Sequence, residues 1–307
     1  MHTRMKRIVP VVSTALLLAM VSFLLPGPSA PPAAAAEGTT YIVTKTLWDD
    51  GPGSLKDAID QANANPGLDT IEFAAGINVD VRNEGESYLG VGGADQYVLA
   101  KITDSLVIDG KGGELFGAQF WFDKNGRQIF SYCPQSSKAY RNKVLLTSLM
   151  PGLLTLGEKN QDNSDVAVTL RNMTIRQFNH VVYMQKNASL VMEDVNVEEI
   201  WPTFKCSYYP IISAMEGASV TLRGTLFRDF YNFNVVTAGY LFNPAIVGDD
   251  AGDLVIEDSR FERIKATISD RVSSVFWTGA GDSKVNIVNS IFYDAGGVQV
   301  ADGVSET

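Results

Sequence analysis

The chain has 307 residues, 45% of them apolar and 20% charged, and carries a net charge of −10. That length suffices for one large core or two small ones. The acidic balance and the lack of a basic tract exclude an electrostatic footprint for nucleic acid. Two cysteines and two histidines leave no basis for thiol clusters, His-based zinc sites or Ser-His-Asp chemistry.

Residues 1–36 read as a secretory signal. Arg4, Lys6 and Arg7 form a basic start, Ile8 to Leu25 is an apolar run, and a Pro- and Ala-rich stretch ends in Ala34-x-Ala36. The alternative is an uncleaved N-terminal anchor, and the small-residue segment that follows at once favours cleavage. Cleavage removes three of the 25 basic residues and none of the 35 acids, which moves the net charge from −10 to −13. The expected location is therefore secreted, extracellular or cell-surface. No later stretch is apolar and long enough to span a membrane. The rest divides into a cap with first strands (37–104) and a repeat region (105–307), with an aromatic-rich insertion at 117–165.

The next element is helical. Ser54 stands where an N-cap belongs, Asp57 follows three residues on, and Leu55, Ala58, Ile59 and Ala62 recur at helical spacing. Lys56, Asp57, Asp60, Gln61 and Asn63 take the opposite face, and Asn65-Pro66-Gly67 ends the segment. Almost everything downstream has strand character.

The insertion gathers Trp121, Phe122, Tyr132 and Tyr140 among lysines and arginines; Trp201, Tyr208 and Tyr209 form a second aromatic group. Aromatic rings with polar neighbours suit sugar stacking or a protein contact, and equally a longer repeat whose rings fill the core. Cys133 lies in the first group and Cys206 in the second. In an oxidising compartment they form either one disulfide or two buried thiols. A disulfide would put both aromatic groups on one side.

Five segments align without gaps: VTLRNMTIRQF (168–178), LVMEDVNVEEI (190–200), VTLRGTLFRDF (220–230), LVIEDSRFERI (254–264) and VNIVNSIFYDA (285–295). LVIDG (106–110) begins in the same way. Their starts lie 22, 30, 34 and 31 residues apart, the period of a stacked array. Positions one, three and eight are apolar throughout and predict a shared interior. Position five holds Asn172, Asp194, Gly224, Asp258 and Asn289, types that tolerate left-handed backbone, so each repeat reads as strand, one-residue bend, strand. A third strand must lie in the variable part, with Val181–Met184 and Leu241–Val247 as candidates. Position four runs Arg171, Glu193, Arg223, Glu257, and position nine runs Arg176, Glu198, Arg228, Glu262. Two columns alternating in sign predict parallel, in-register stacking, in which opposite charges become neighbours about 4.8 Å apart.

With these features in view, residues 43–73 resemble the N-terminal signature of secreted right-handed parallel β-helix repeat proteins, which include adhesin-like, polymorphic outer-membrane-protein-like chains. Val43, Thr44, Asp50, Gly51, Gly53, Ser54, Leu55, Ala58, Ile59, Ala62, Asn63, Pro66, Gly67, Asp69, Ile71 and Phe73 match that signature. Lys56 replaces the common Arg, and Gly53 stands where some members carry Cys. The resemblance implies an all-β fold, a right-handed parallel β-helix of the pectate-lyase-like kind with a short N-terminal helical cap.

The functional expectation is a non-catalytic module that binds a polysaccharide or a cell-surface protein. The alternatives are a polysaccharide lyase or glycoside hydrolase, and a structural stalk. Enzymes of this fold use carboxylates on an outer face, and the lyases often use Ca²⁺. Here Glu193, Glu198, Glu257 and Glu262 are spoken for by the charge columns. Asp249, Asp250 and Asp253 are a weak Ca²⁺ candidate without the spacing of an EF-hand loop; no other cofactor is implied.

Overall fold

The computed structural model describes residues 38–81, 98–117, 121–122, 128–129, 152–178, 180–199, 210–232, 246–266, 275–279, 282–300 and 305–306. These residues belong to one compact unit, 36–307. They form an all-β structure with one helix, built on two parallel sheets.

The larger sheet runs, in spatial order, through Thr40–Val43, Asp69–Phe73, Leu106–Asp109, Ala167–Arg176, Ser189–Glu198, Ser219–Arg223, Leu254–Glu257, Lys284–Val288 and Ser305–Glu306. A second limb continues each repeat past its bend, through Val79–Asp80, Glu114–Phe116, the distal halves of the two ten-residue strands, Leu226–Asn232, Arg260–Ala266 and Ile291–Ala295. The smaller sheet stacks Val98–Ile102, Gly152–Leu156, His180–Met184, Ile212–Ala214, Ile246–Ala251, Val275–Gly279 and Val298–Val300. From Val98 onward the described strands alternate between the two sheets, apart from Trp121–Phe122 and Gln128–Ile129, which form a separate two-stranded sheet. The third-strand candidate at Val181–Met184 falls in His180–Met184. The one at Leu241–Val247 overlaps Ile246–Ala251 at its last two residues; residues 241–245 lie outside the described set.

The register follows the alignment columns. Val168, Leu190, Val220, Leu254 and Val285 are successive partners, as are Leu170, Met192, Leu222, Ile256 and Ile287. All of these are buried apart from the half-buried Ile287. At position eight the rings of Phe227, Phe261 and Phe292 stack with centroids 5.0 and 4.7 Å apart and near-parallel planes. Stacked rings one strand apart contribute beyond the area they bury.

The bend has a common cause. Asn172, Asp194, Gly224, Asp258 and Asn289 all take left-handed backbone, with φ between 49 and 58°. A second left-handed column lies at position ten: Gln177, Glu199, Asp229, Arg263 and Asp294, with φ between 48 and 62°. A third, at Asn187, Gly217 and Asp250, turns the chain from the smaller sheet into the larger. Just after the first bend, Thr225, Ser259 and Ser290 point inward. Each hydroxyl donates to a carbonyl of the bend, at Arg223, Glu257 and Val288 respectively. Ser259 and Ser290 also accept the Thr225 and Ser259 backbone N–H groups. Buried bend amides are thus satisfied without water.

The helix spans Leu55–Ala64. Ser54 caps it by accepting the Asp57 N–H at 3.0 Å, and the Asp57 carboxylate reaches back to the Gly53 N–H at 3.3 Å. Leu55, Ala58, Ile59 and Ala62 are buried against the first strands of both sheets. Asn63 departs from its expected place on the outward polar face. Its amide donates to the Lys101 carbonyl and accepts from the Thr103 N–H, both at 2.8 Å. Side-chain amides have the same donor and acceptor pair as a peptide, so Asn63 stands in for a strand neighbour along Val98–Ile102. No helix among the described residues is long and apolar enough to cross a membrane.

Candidate functional site

Outward residues of the larger sheet set its electrostatics. Column four is continuous through Ile42, Glu72, Asp109, Arg171, Glu193, Arg223, Glu257 and Val288. Arg223 contacts Glu193 at 3.1 Å and Glu257 at 3.0 Å, while Arg171 turns away from Glu193 to Asp109 at 2.9 Å. The like-charged neighbours Glu72 and Asp109 are bridged by Lys111, at 3.0 and 3.3 Å. Asp109 is buried. Burial pushes its carboxyl up, but hydrogen bonds from the Lys111 backbone, the Asn172 amide and the Lys111 ammonium, aided by Arg171, outweigh that and hold it low.

Column nine runs Leu47, Asp80, Phe116, Arg176, Glu198, Arg228, Glu262 and Tyr293. Arg176 pairs with Glu114 at 3.0 Å and lies over the Phe116 ring; Arg228 pairs with Glu198. Glu262 is held by Arg260 and Arg263. The Arg263 guanidinium also grips Asp229 and keeps its carboxyl below the usual range. The columns therefore place the Arg and Glu residues in adjacent strands; Arg171 pairs within column four, with Asp109, while Arg176 and Arg263 pair with acids outside the two columns, Glu114 and Asp229.

An open groove of about 420 Å³ lies along the bend, lined by Lys111, Gly112, Asn172, Met173, Thr174, Asp194 and Asn196. One wall is the turn after Leu106–Asp109. That turn takes four residues, Gly110 to Gly113, where the next repeats use one, so Lys111 and Gly112 stand proud of the neighbouring bend. The turn is anchored by Gly112 N–H to the Asn172 carbonyl at 2.7 Å. Asn172 and Asp194 occupy equivalent bends of adjacent strands, and Thr174 faces Asn196 in the register. Asn172, Asp194 and Asn196 are exposed, and Thr174 is half-buried. Asn172 donates to Asp109 at 3.1 Å. The side chains of Thr174, Asp194 and Asn196 form no hydrogen bond with another described residue.

The remaining candidates are scattered. Asp250 sits in the left-handed turn, and its backbone N–H donates to Thr278 Oγ1. Asp253 accepts the Lys284 N–H at 2.9 Å and so opens the next strand. Asp249 is exposed beside Asp250 in the same strand; no group of three or more His, Cys, Asp or Glu side chains that could hold a metal ion is found among the described residues. Trp121–Phe122 pairs antiparallel with Gln128–Ile129. Tyr132, Cys133, Tyr140, Trp201, Cys206, Tyr208 and Tyr209 lie outside the described residues. His180 is buried, with Nδ1 donating to the Pro210 carbonyl at 2.5 Å. Burial pushes it down from 6.5 to about 4 against the weaker opposing pull of that bond, so it is neutral at pH 7.

No protein-family model matches the chain, and neither a curated protein nor a solved structure matches it. The groove's residues were missed at the sequence level. Two of them, Thr174 and Asn196, share alignment column seven, which was a usable signal. The other wall comes from a segment some 62 residues upstream of Asn172's strand, across the insertion.

Proposed function

We propose that the chain is an exported right-handed parallel β-helix module, capped at its N-terminal end by the helix, that binds glycan at an outer face without turning it over. Alternation of the chain between two in-register parallel sheets supports the β-helix reading, as does the likeness of residues 43–73 to the secreted β-helix signature. The basic, apolar, small-residue order of residues 1–36 supports export.

The observation that carries the functional reading is the contrast between the ladders and the groove. A general acid needs a carboxyl raised toward neutrality. The ladder acids instead sit against arginines, and Asp109 and Asp229 are held low. The Thr174 hydroxyl, the Asn196 amide and the Asp194 carboxylate bond to no other described residue, which leaves them for a polyhydroxylated ligand.

The test is to incubate the exported chain with a panel of neutral and acidic polysaccharides, with and without Ca²⁺, and follow both retention and product formation. Retention without new reducing or unsaturated sugar ends is the expected result. New ends would make the chain a hydrolase or a lyase; retention of no glycan would overturn the glycan reading.

A further inference from the structure

Resting on the glycan-binding reading, we propose that the groove beside Lys111 selects neutral saccharides, holding a single short segment by its vicinal hydroxyls. The argument begins with spacing. Asn172 and Asp194 stand one strand apart, about 4.8 Å, and so do Thr174 and Asn196. Along each strand the two polar residues are two positions apart, about 6.6 Å. Four polar groups thus frame an area that matches the hydroxyl spread of one pyranose ring. The two oxygens of the Asp194 carboxylate can accept both O–H groups of a vicinal diol, and the Asn196 amide both donates and accepts.

Charge selects the ligand class. The one cation in the groove wall, Lys111, is already shared between Glu72 and Asp109. Arg171, nearby, is committed to Asp109 as well. Asp194 has no cation partner among the described residues. The groove is therefore net negative where a ligand would enter, which favours neutral hydroxyls and repels uronates, sulfates and phosphates.

Length is set by the next repeat. Gly224 and Leu226 occupy the places equivalent to Asp194 and Asn196. Neither supplies a polar side chain, so the site ends there and cannot follow a polymer along the sheet.

The experiment is calorimetric titration of the full chain with neutral oligosaccharides and with oligogalacturonate, alongside Asp194→Asn, Asn196→Ala and, in the same bend column outside the groove, Asp258→Asn. Neutral oligosaccharides should bind, and Asp194→Asn and Asn196→Ala should each weaken them about tenfold or more. Thermal stability should be unchanged in both, and Asp258→Asn should bind as the parent does. Neutral-sugar binding that persists in both groove variants would place the site elsewhere and leave the glycan reading standing. Tighter binding of oligogalacturonate would overturn the charge argument. If the parent chain binds no glycan in either class, the reading itself falls and this site with it.

Discussion

Single residues decide where this chain bends and what it tolerates. Bend residues Asn172, Asp194, Gly224, Asp258 and Asn289 are legible in the sequence because short polar side chains and glycine favour left-handed backbone. Gln177, Glu199 and Arg263 share that backbone and were not legible, since their side chains carry no such preference; stacking imposes it. Gly224 and Gly248 show two different needs for a missing side chain. A Cβ at Gly224 would lie 2.6 Å from the Asp194 carboxylate, the far end of a side chain that can rotate away, so the conformational cost dominates, and Gly224→Ala should lose about 1 kcal/mol. At Gly248 a Cβ would meet the buried Trp277 ring at 2.5 Å. That ring is pinned by its Nε1–H to the Gly252 carbonyl, so Gly248→Ala should lose about 3 kcal/mol or more in chemical denaturation. Equal losses for the two would remove the distinction. His180 carries the pH dependence. Its folded pKa lies below its unfolded value near 6.5, so the stability it confers is complete above 6.5 and is lost as pH falls toward about 4. Between pH 7 and pH 4.5 the chain should lose on the order of 2 kcal/mol, and His180→Gln should flatten that slope in thermal denaturation. An unchanged slope would mean that the ring is not buried as described.

At the scale of elements, the helix is the part whose every feature was written locally. Its cap, apolar face and stop signal need no residue farther off than a few positions. What local reading missed was Asn63, because a polar residue on a polar face gives no sign that it will complete a neighbouring strand. The groove escaped for a related reason. Its bend residues were visible as a column, but its raised wall depends on a four-residue turn brought alongside by stacking. A buried charge under the helix tests its role as cover. Leu55→Asp should lower the unfolding midpoint steeply or abolish soluble expression, because Leu55 is fully buried. If the variant unfolds at the parent temperature, the helix covers nothing of consequence. The rings of Phe227, Phe261 and Phe292 belong to the same scale. They were legible as an apolar column, but their near-parallel stacking follows only once the register is fixed.

Across the whole molecule, the charge columns act as a register device. Each exposed pair contributes little, about 0.2–1 kcal/mol. A slip of one repeat, however, would set like charges together in both columns at once. Arg223→Glu makes three consecutive acids with Glu193 and Glu257, and should cost more than Arg223→Gln. The difference, about 1 kcal/mol, should shrink in high salt. Equal effects of the two substitutions would show that the ladder contributes nothing to stability. Among the described residues, the outermost members of the columns are uncharged, Ile42 and Val288 in one and Leu47 and Tyr293 in the other, each exposed. The sequence columns reach Val288 and Tyr293 directly; Ile42 and Leu47 emerge only from the pairing of the first strands.

The alternation has a consequence for how such a chain can change its length. Its true building block is a pair of repeats, one carrying arginines and the next glutamates. Excising 190–219 alone would bring Arg171 against Arg223 and Arg176 against Arg228. Excising 190–253 would instead bring Arg171 to Glu257 and Arg176 to Glu262, restoring both columns in a shorter molecule. Lineages and designs built on this plan should therefore grow and shrink in even steps, with odd-numbered losses disfavoured by charge rather than by packing.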